Sequence, residues 1–67
     1  MRELKLLTGK TVLVSTPEAT IRGVVESATR AFITLAAAES LDGPNPVAIQ
    51  GFVLVPVPKV SYVQVTS

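Results

Sequence analysis

The side chains able to do chemistry in this chain are few and scattered. Hydroxyls stand at Ser15, Ser61 and Tyr62 among other positions, but nucleophilic catalysis also needs a base beside the hydroxyl or thiol. The 67-residue sequence has no histidine and no cysteine, which leaves six lysines and arginines and the isolated acids Glu3, Glu18, Glu26, Glu39 and Asp42. Ser15, Ser61 and Tyr62 therefore read as strand residues. Zinc sites want clustered Cys and His, and calcium sites want several oxygen ligands close together; neither cluster is written here. The four glycines, at 9, 23, 43 and 51, build no phosphate-cradling loop. Glu39 and Asp42 flank a loop and are most simply solvated. The expectation is a protein with no catalytic residues, no metal and no cofactor, and not an enzyme.

The cations are distributed unevenly. Arg2, Lys5, Lys10, Arg22 and Arg30 all fall in the first thirty positions, against Glu3, Glu18 and Glu26, while Lys59 faces Glu39 and Asp42 in the remainder. Arg22 and Arg30 flank the turn expected between the second and third strands. With Gln50 they are the candidate nucleic-acid contacts. The net charge of only +1 argues against strong electrostatic binding to nucleic acid, which depends on a basic footprint. Ordinary solubilising charge is the favoured reading of these residues.

Something must position whatever surface this chain uses, and the chain is small. A domain of this length buries only about 60% of the surface its unfolded form exposes. Such domains usually gain stability from disulfides, a metal or a partner subunit. Without cysteine, oligomerisation is the device left over. Hydrophobic residues make up 48% of the sequence and charged residues 16%, against about 25% charge in a typical soluble domain. Part of so apolar a surface is expected in a subunit interface. No apolar run approaches the ~20 residues that span a bilayer, and the N-terminal stretch is too short for the apolar region of a signal peptide. The expected place is the cytoplasm, or a particle assembled inside a cell.

The element pattern is all-β in a single domain over residues 1–67. Glu3 to Leu7 fits one helical turn, ended by Gly9. Strands are expected at Thr11–Ser15, about Thr20–Ser27, about Ala31–Ala36, about Val47–Val55 and Lys59–Val65. Turns fall at Thr16-Pro17-Glu18-Ala19 and Ala28-Thr29-Arg30, a loop at Asp42-Gly43-Pro44-Asn45-Pro46, and a tight connection at Pro56-Val57-Pro58. Ala36–Leu41 reads as the third strand continuing, with a bend, into that loop. Gly23 inside the second strand marks a sharp bend or the close approach of another backbone. Five short strands spaced by turn signals suggest a small barrel or sandwich. The last two strands are apolar on both faces, where a half-buried strand alternates with polar residues. Their second faces need cover, so Val53, Val55, Val60, Tyr62, Val63 and Val65 are the candidate subunit interface.

These segments, in order, resemble the Sm-like family, a bent five-stranded SH3-like barrel after a short N-terminal helix. Leu6-Leu7-Thr8-Gly9-Lys10-Thr11-Val12-Leu13-Val14 is similar to the family's helix end and first strand. Thr20-Ile21-Arg22-Gly23-Val24-Val25 resembles its second strand, and Phe32 to Glu39 its third. Gln50-Gly51-Phe52-Val53-Leu54-Val55-Pro56 with Val60-Ser61-Tyr62-Val63-Gln64-Val65 resembles its second motif. The resemblance implies rings in which strand four of one subunit pairs with strand five of the next, hence a homo-oligomeric structural, assembly or protein-interaction module, including a component of a larger particle such as a viral one. It also offers an alternative, an RNA-binding ring. RNA-binding Sm proteins hold a base with an Asp and an Asn across the turn between strands two and three. Ser27-Ala28-Thr29-Arg30-Ala31 has neither, and Gln50-Gly51 is the nearest equivalent of the family's Arg-Gly. The base site of such a ring would be atypical.

Overall fold

The computed structural model describes residues 6 to 66. Six antiparallel strands run in chain order: β1 Thr11–Ser15, β2 Thr20–Ala28, β3 Phe32–Ser40, β4 Val47–Ala48, β5 Val53–Pro56 and β6 Tyr62–Val65. They form one sheet in the order β4-β3-β2-β1-β6, with β5 pairing the first half of β3. The helical turn expected over Glu3–Leu7 lies mostly outside the described residues. What precedes β1 is a turn closed by Lys10, whose N–H donates to the Leu7 carbonyl at 2.8 Å, with Gly9 in the left-handed region at φ +86°.

Period-two alternation builds the core. Val12 and Val14 of β1, Val25 and Ala28 of β2, Ile33, Leu35 and Ala38 of β3 and Val55 of β5 are buried together. The residues between them, such as Leu13, Arg22 and Val24, point outward. The β1–β2 turn is fixed locally: Thr16 donates its backbone N–H to the Ala19 carbonyl at 2.8 Å and accepts the Ala19 N–H on its hydroxyl at 3.0 Å. In the β2–β3 turn the Thr29 hydroxyl accepts the N–H groups of Ala31 and Phe32, both at 3.1 Å. Asp42 closes the other end of that hairpin, taking the Thr20 N–H on Oδ1 at 3.0 Å.

Two irregularities bend the sheet where it must wrap on itself. Arg22 pairs with Glu39 and Val24 with Ala36, so Gly23 stands against two residues of β3, Ala37 and Ala38. Ala37 takes φ +50° there. Three residues later the count reverses: Val25 pairs with Leu35 and Ser27 with Thr34, leaving Glu26 as the extra residue on β2. Bulges of this kind bend a strand and increase its twist. A Cβ at Gly23 would stand 3.1 Å from the Ala36 carbonyl oxygen and from the Leu35 Cβ. Both meanings offered for this glycine, the bend and the close backbone, therefore apply.

Three boundaries differ from the sequence expectation. The third strand runs through Ala37 to Ser40 rather than ending near Ala36. The fourth strand, expected continuous from Val47 to Val55, is two short strands joined by residues 49–52, where Gly51 turns the chain at φ +78°. The bulge in β3 is the physical reason: β4 pairs with the segment beyond it and β5 with the segment before it. The proline-flanked connection is a 3-10 turn, Val57–Lys59, so the last strand begins at Tyr62 rather than Lys59.

Candidate subunit interface

Among the described residues, β5 pairs with β3 alone and β6 with β1 alone. Each strand therefore has one edge without a ladder partner in the chain. Which groups those edges present follows from alternation, since a residue's N–H and C=O point to the same neighbour and successive residues alternate. Val57 donates its N–H to the Ala31 carbonyl at 2.9 Å. Val57, Val55 and Val53 accordingly face β3, while Pro56, Leu54 and Phe52 face the open edge. On the other side Thr66 donates to the Thr11 carbonyl at 2.9 Å. Thr66, Gln64 and Tyr62 then face β1, and Val65 and Val63 face outward. Pro56, which has no N–H, sits with its missing donor on the open edge, the side a strand proline can occupy without breaking its own ladder.

The candidate interface residues divide on this geometry. Tyr62 and Val65 are 55% and 44% exposed, as a contact surface requires. Val53, Val60 and Val63 are half-buried and pack against the core. Val55 differs from these: its side chain is 4% exposed and lies opposite Ile33 inside the barrel, because its parity on β5 is that of the core, and it meets the surface only where it lines a groove beside that strand. The apolar outer residue of β5 is Leu54, 56% exposed, joined by Phe52 at 63% and by Phe32 on β3. The sequence signal was present in the uninterrupted run Phe52–Val55, but choosing the outward member needs the β3 register. Beside the open edge of β5 runs an apolar groove, walled across by Ala19 and Ile21 and floored by Val53 and Val55, with Glu18 and Lys59 among its polar lining residues.

The candidate nucleic-acid contacts do not converge. Arg22 lies in β2 and holds Glu39 of β3 through Nε at 3.1 Å and Nη2 at 2.7 Å, both donating to Oε1. Arg30 stands exposed at the other end of β2, in the turn before β3. Gln50 belongs to the β4–β5 connection, next to Ile49, whose N–H donates to the Ala38 carbonyl at 2.8 Å. The loop before the last strand is Val57–Ser61 instead, and it docks on the β2–β3 turn through the Val57–Ala31 bond. Sequence reasoning missed Lys59, which this loop carries, because its neighbours Pro58 and Val60 gave it no charged company. Among the described residues no group of three or more Asp or Glu is arranged to hold a metal ion. No helix among them is long and apolar enough to cross a membrane.

No protein-family model matches the chain, and no curated protein matches it. Solved structures do. A heptameric archaeal Sm protein, described with implications for the eukaryotic snRNP core, superposes with a TM-score of 0.83 at 25% identity, covering 100% of both chains. The SmAP1 heptamer of P. aerophilum gives a TM-score of 0.83 at 25% identity over 98% of this chain and 90% of that one. The Sm-like protein AF-Sm2 of Archaeoglobus fulgidus gives 0.81 at 20% identity, covering 97% and 91%. A chain of the NatC complex bound to CoA gives 0.77 at 22% identity, covering 90% and 79%. With its bulged β2–β3 hairpin, its 3-10 turn before the last strand and these neighbours along its whole length, the chain has the Sm-like fold.

Proposed function

We propose that this chain is a non-enzymatic, self-assembling module whose copies join β5 of one to β6 of the next, and whose assembled ring scaffolds partner proteins within a larger particle. The observation that carries it is that β5 and β6 each have an open edge flanked by exposed apolar side chains: Leu54 and Phe52 on one, Tyr62 and Val65 on the other. Exposed edges invite pairing with another chain, and natural proteins cover or charge them. Here neither edge strand carries a charged residue. Two of the solved neighbours are described as heptamers, which supports assembly of this kind, and a chain of similar fold sits within the NatC complex, which supports a place among other proteins.

The test is the mass in solution by light scattering, first of the parent and then of Leu54→Lys. A parent several times the 7.0 kDa subunit, reduced to one subunit in the folded variant, is the expected result. A monomeric parent at high concentration rejects the reading.

A second reading has its own observation. The Val57–Ala31 bond holds the β2–β3 turn and the Val57–Ser61 loop side by side, and each carries one exposed cation, Arg30 and Lys59. Repeated around a ring, they would offer phosphate contacts without an obvious base pocket. Binding of single-stranded RNA that falls steeply with salt would favour this reading; no binding at low salt would remove it.

A further inference from the structure

Resting on the edge-to-edge reading, the hydrogen-bond directions go further and name the knob, the socket and the register. The groups facing outward from β5 belong to Phe52 and Leu54, whose side chains are on the outer face; those facing outward from β6 belong to Val63 and Val65, whose side chains are on the core face, Val63 lying opposite Val14. Directly opposed residues of an antiparallel ladder share a face. An antiparallel β6 must therefore arrive turned over, its core-facing valines meeting the outer face of β5. A parallel arrival would keep outer face against outer face, setting Leu54 beside Gln64 and Tyr62 in solvent and leaving the groove empty. Apolar burial favours the antiparallel mode, and antiparallel ladders are slightly the more stable.

Two registers of that parity set Leu54 against a valine of β6, and Pro56 separates them. In one, Leu54 meets Val65 and Pro56 meets Val63, so the Val63 carbonyl faces a residue with no N–H to give. In the other, Leu54 meets Val63 and Phe52 meets Val65, each a pair with both donors and both acceptors. Pro56 then falls opposite Ser61, whose own N–H already donates to the Ser15 carbonyl at 2.7 Å. No donor is lost. In this register Gln64 stands opposite Val53, and Tyr62 stands opposite Val55 on the groove side of the strand.

We infer that Tyr62 of a second copy is the anchor of this assembly, inserted into the groove between Ala19, Ile21, Val53 and Val55, with Leu54 and Phe52 covered by that copy's Val63 and Val65. A tyrosine suits the place, since its ring supplies apolar contact and its hydroxyl can stay at a polar rim, here Glu18 and Lys59.

The two halves of the contact lie on different parts of one chain, so they can be disabled separately. Tyr62→Ala removes the knob and Ala19→Trp fills the socket. Under conditions where the parent is oligomeric, each folded variant alone is expected to have a single-subunit mass, and an equal mixture to form a two-chain complex through the one intact knob and the one intact socket. The register has its own check, which needs neither variant: the sequence has no cysteine, so Val53→Cys with Gln64→Cys should give a covalent ladder on mild oxidation, while Val53→Cys with Thr66→Cys should not. A parent oligomer that Tyr62→Ala leaves intact, or a ladder only from the second cysteine pair, overturns this inference and spares the edge-to-edge reading. A monomeric parent overturns both.

Discussion

The β2–β3 hairpin and the open edges of β5 and β6 are made of similar residues and finished in opposite ways. On the core face of the hairpin the apolar side chains have been used up: Leu35 is fully buried, Ala38 nearly so, and even the space a Cβ would need at Gly23 is taken. Along the open edges the apolar run continues onto the outer face, and Leu54 stands 56% exposed one residue from buried Val55. A two-faced apolar strand thus has two meanings, and the difference is whether the chain itself supplies the second layer.

That contrast is most sharply tested by two leucines. Leu35→Ala is expected to cost about 2–5 kcal/mol, the range for a leucine deleted from a packed core, which is much of a small domain's stability. Leu54→Ala should leave the circular dichroism spectrum of the subunit unchanged and act on the mass in solution. Denaturant melts at low protein concentration separate them, and equal losses at both sites would erase the distinction between closed and open sides.

Gly23→Val probes the closed side again. Its side chain would meet the Ala36 carbonyl and Leu35 at distances below ordinary contact, and overpacking of this kind costs about 1–3 kcal/mol. Gly43→Ala, with only the Asn45 carbonyl oxygen at 3.8 Å, should shift the thermal midpoint far less. Similar melts for the two would show that β3 can retreat from Gly23.

Ala37→Gly should move stability the other way. Holding an L-residue in the left-handed region costs about 1–2 kcal/mol, and glycine's added freedom in the unfolded chain takes back about 0.5–1 of it. A net gain of about 0–1.5 kcal/mol is expected in the same melts. A loss would mean the Ala37 methyl is doing packing work despite its exposure. The smallest effect belongs to Arg22→Ala. Both partners of its ion pair with Glu39 are more than a third exposed, so about 0–1 kcal/mol is at stake, and that difference should shrink as salt is added.

Much of this was legible before any coordinates. The β1 bounds, the two turns flanking β2 and the role of Gly23 all follow from β-branched runs, turn residues and one glycine where a side chain was due. The exposed apolar side chains of the last two strands were written in the Phe52–Val55 and Tyr62–Val65 runs. Other features left no mark. Alanine carries no signal for positive φ, so Ala37 could not announce the bulge, and with it went the division of the fourth strand. Leu54 and Val55 are equally apolar, so only pairing with β3 tells which of them faces the core. The loop that carries Lys59 came beside the β2–β3 turn only through the backbone bond from Val57 to Ala31.

The bend carried by Gly23, Ala37 and Glu26 has a reach beyond its own hairpin. A subunit with two unlike, complementary edges joins head to tail, and such a chain of copies either returns to its start or grows without end. Which happens is decided by the rotation from one copy to the next. That rotation depends on the angle between β5 and β6, and the two strands are connected through β3, β2 and β1. On the proposed edge-to-edge assembly the bulges would act as a protractor, and a substitution there would be read out as a different number of subunits or as a fibre.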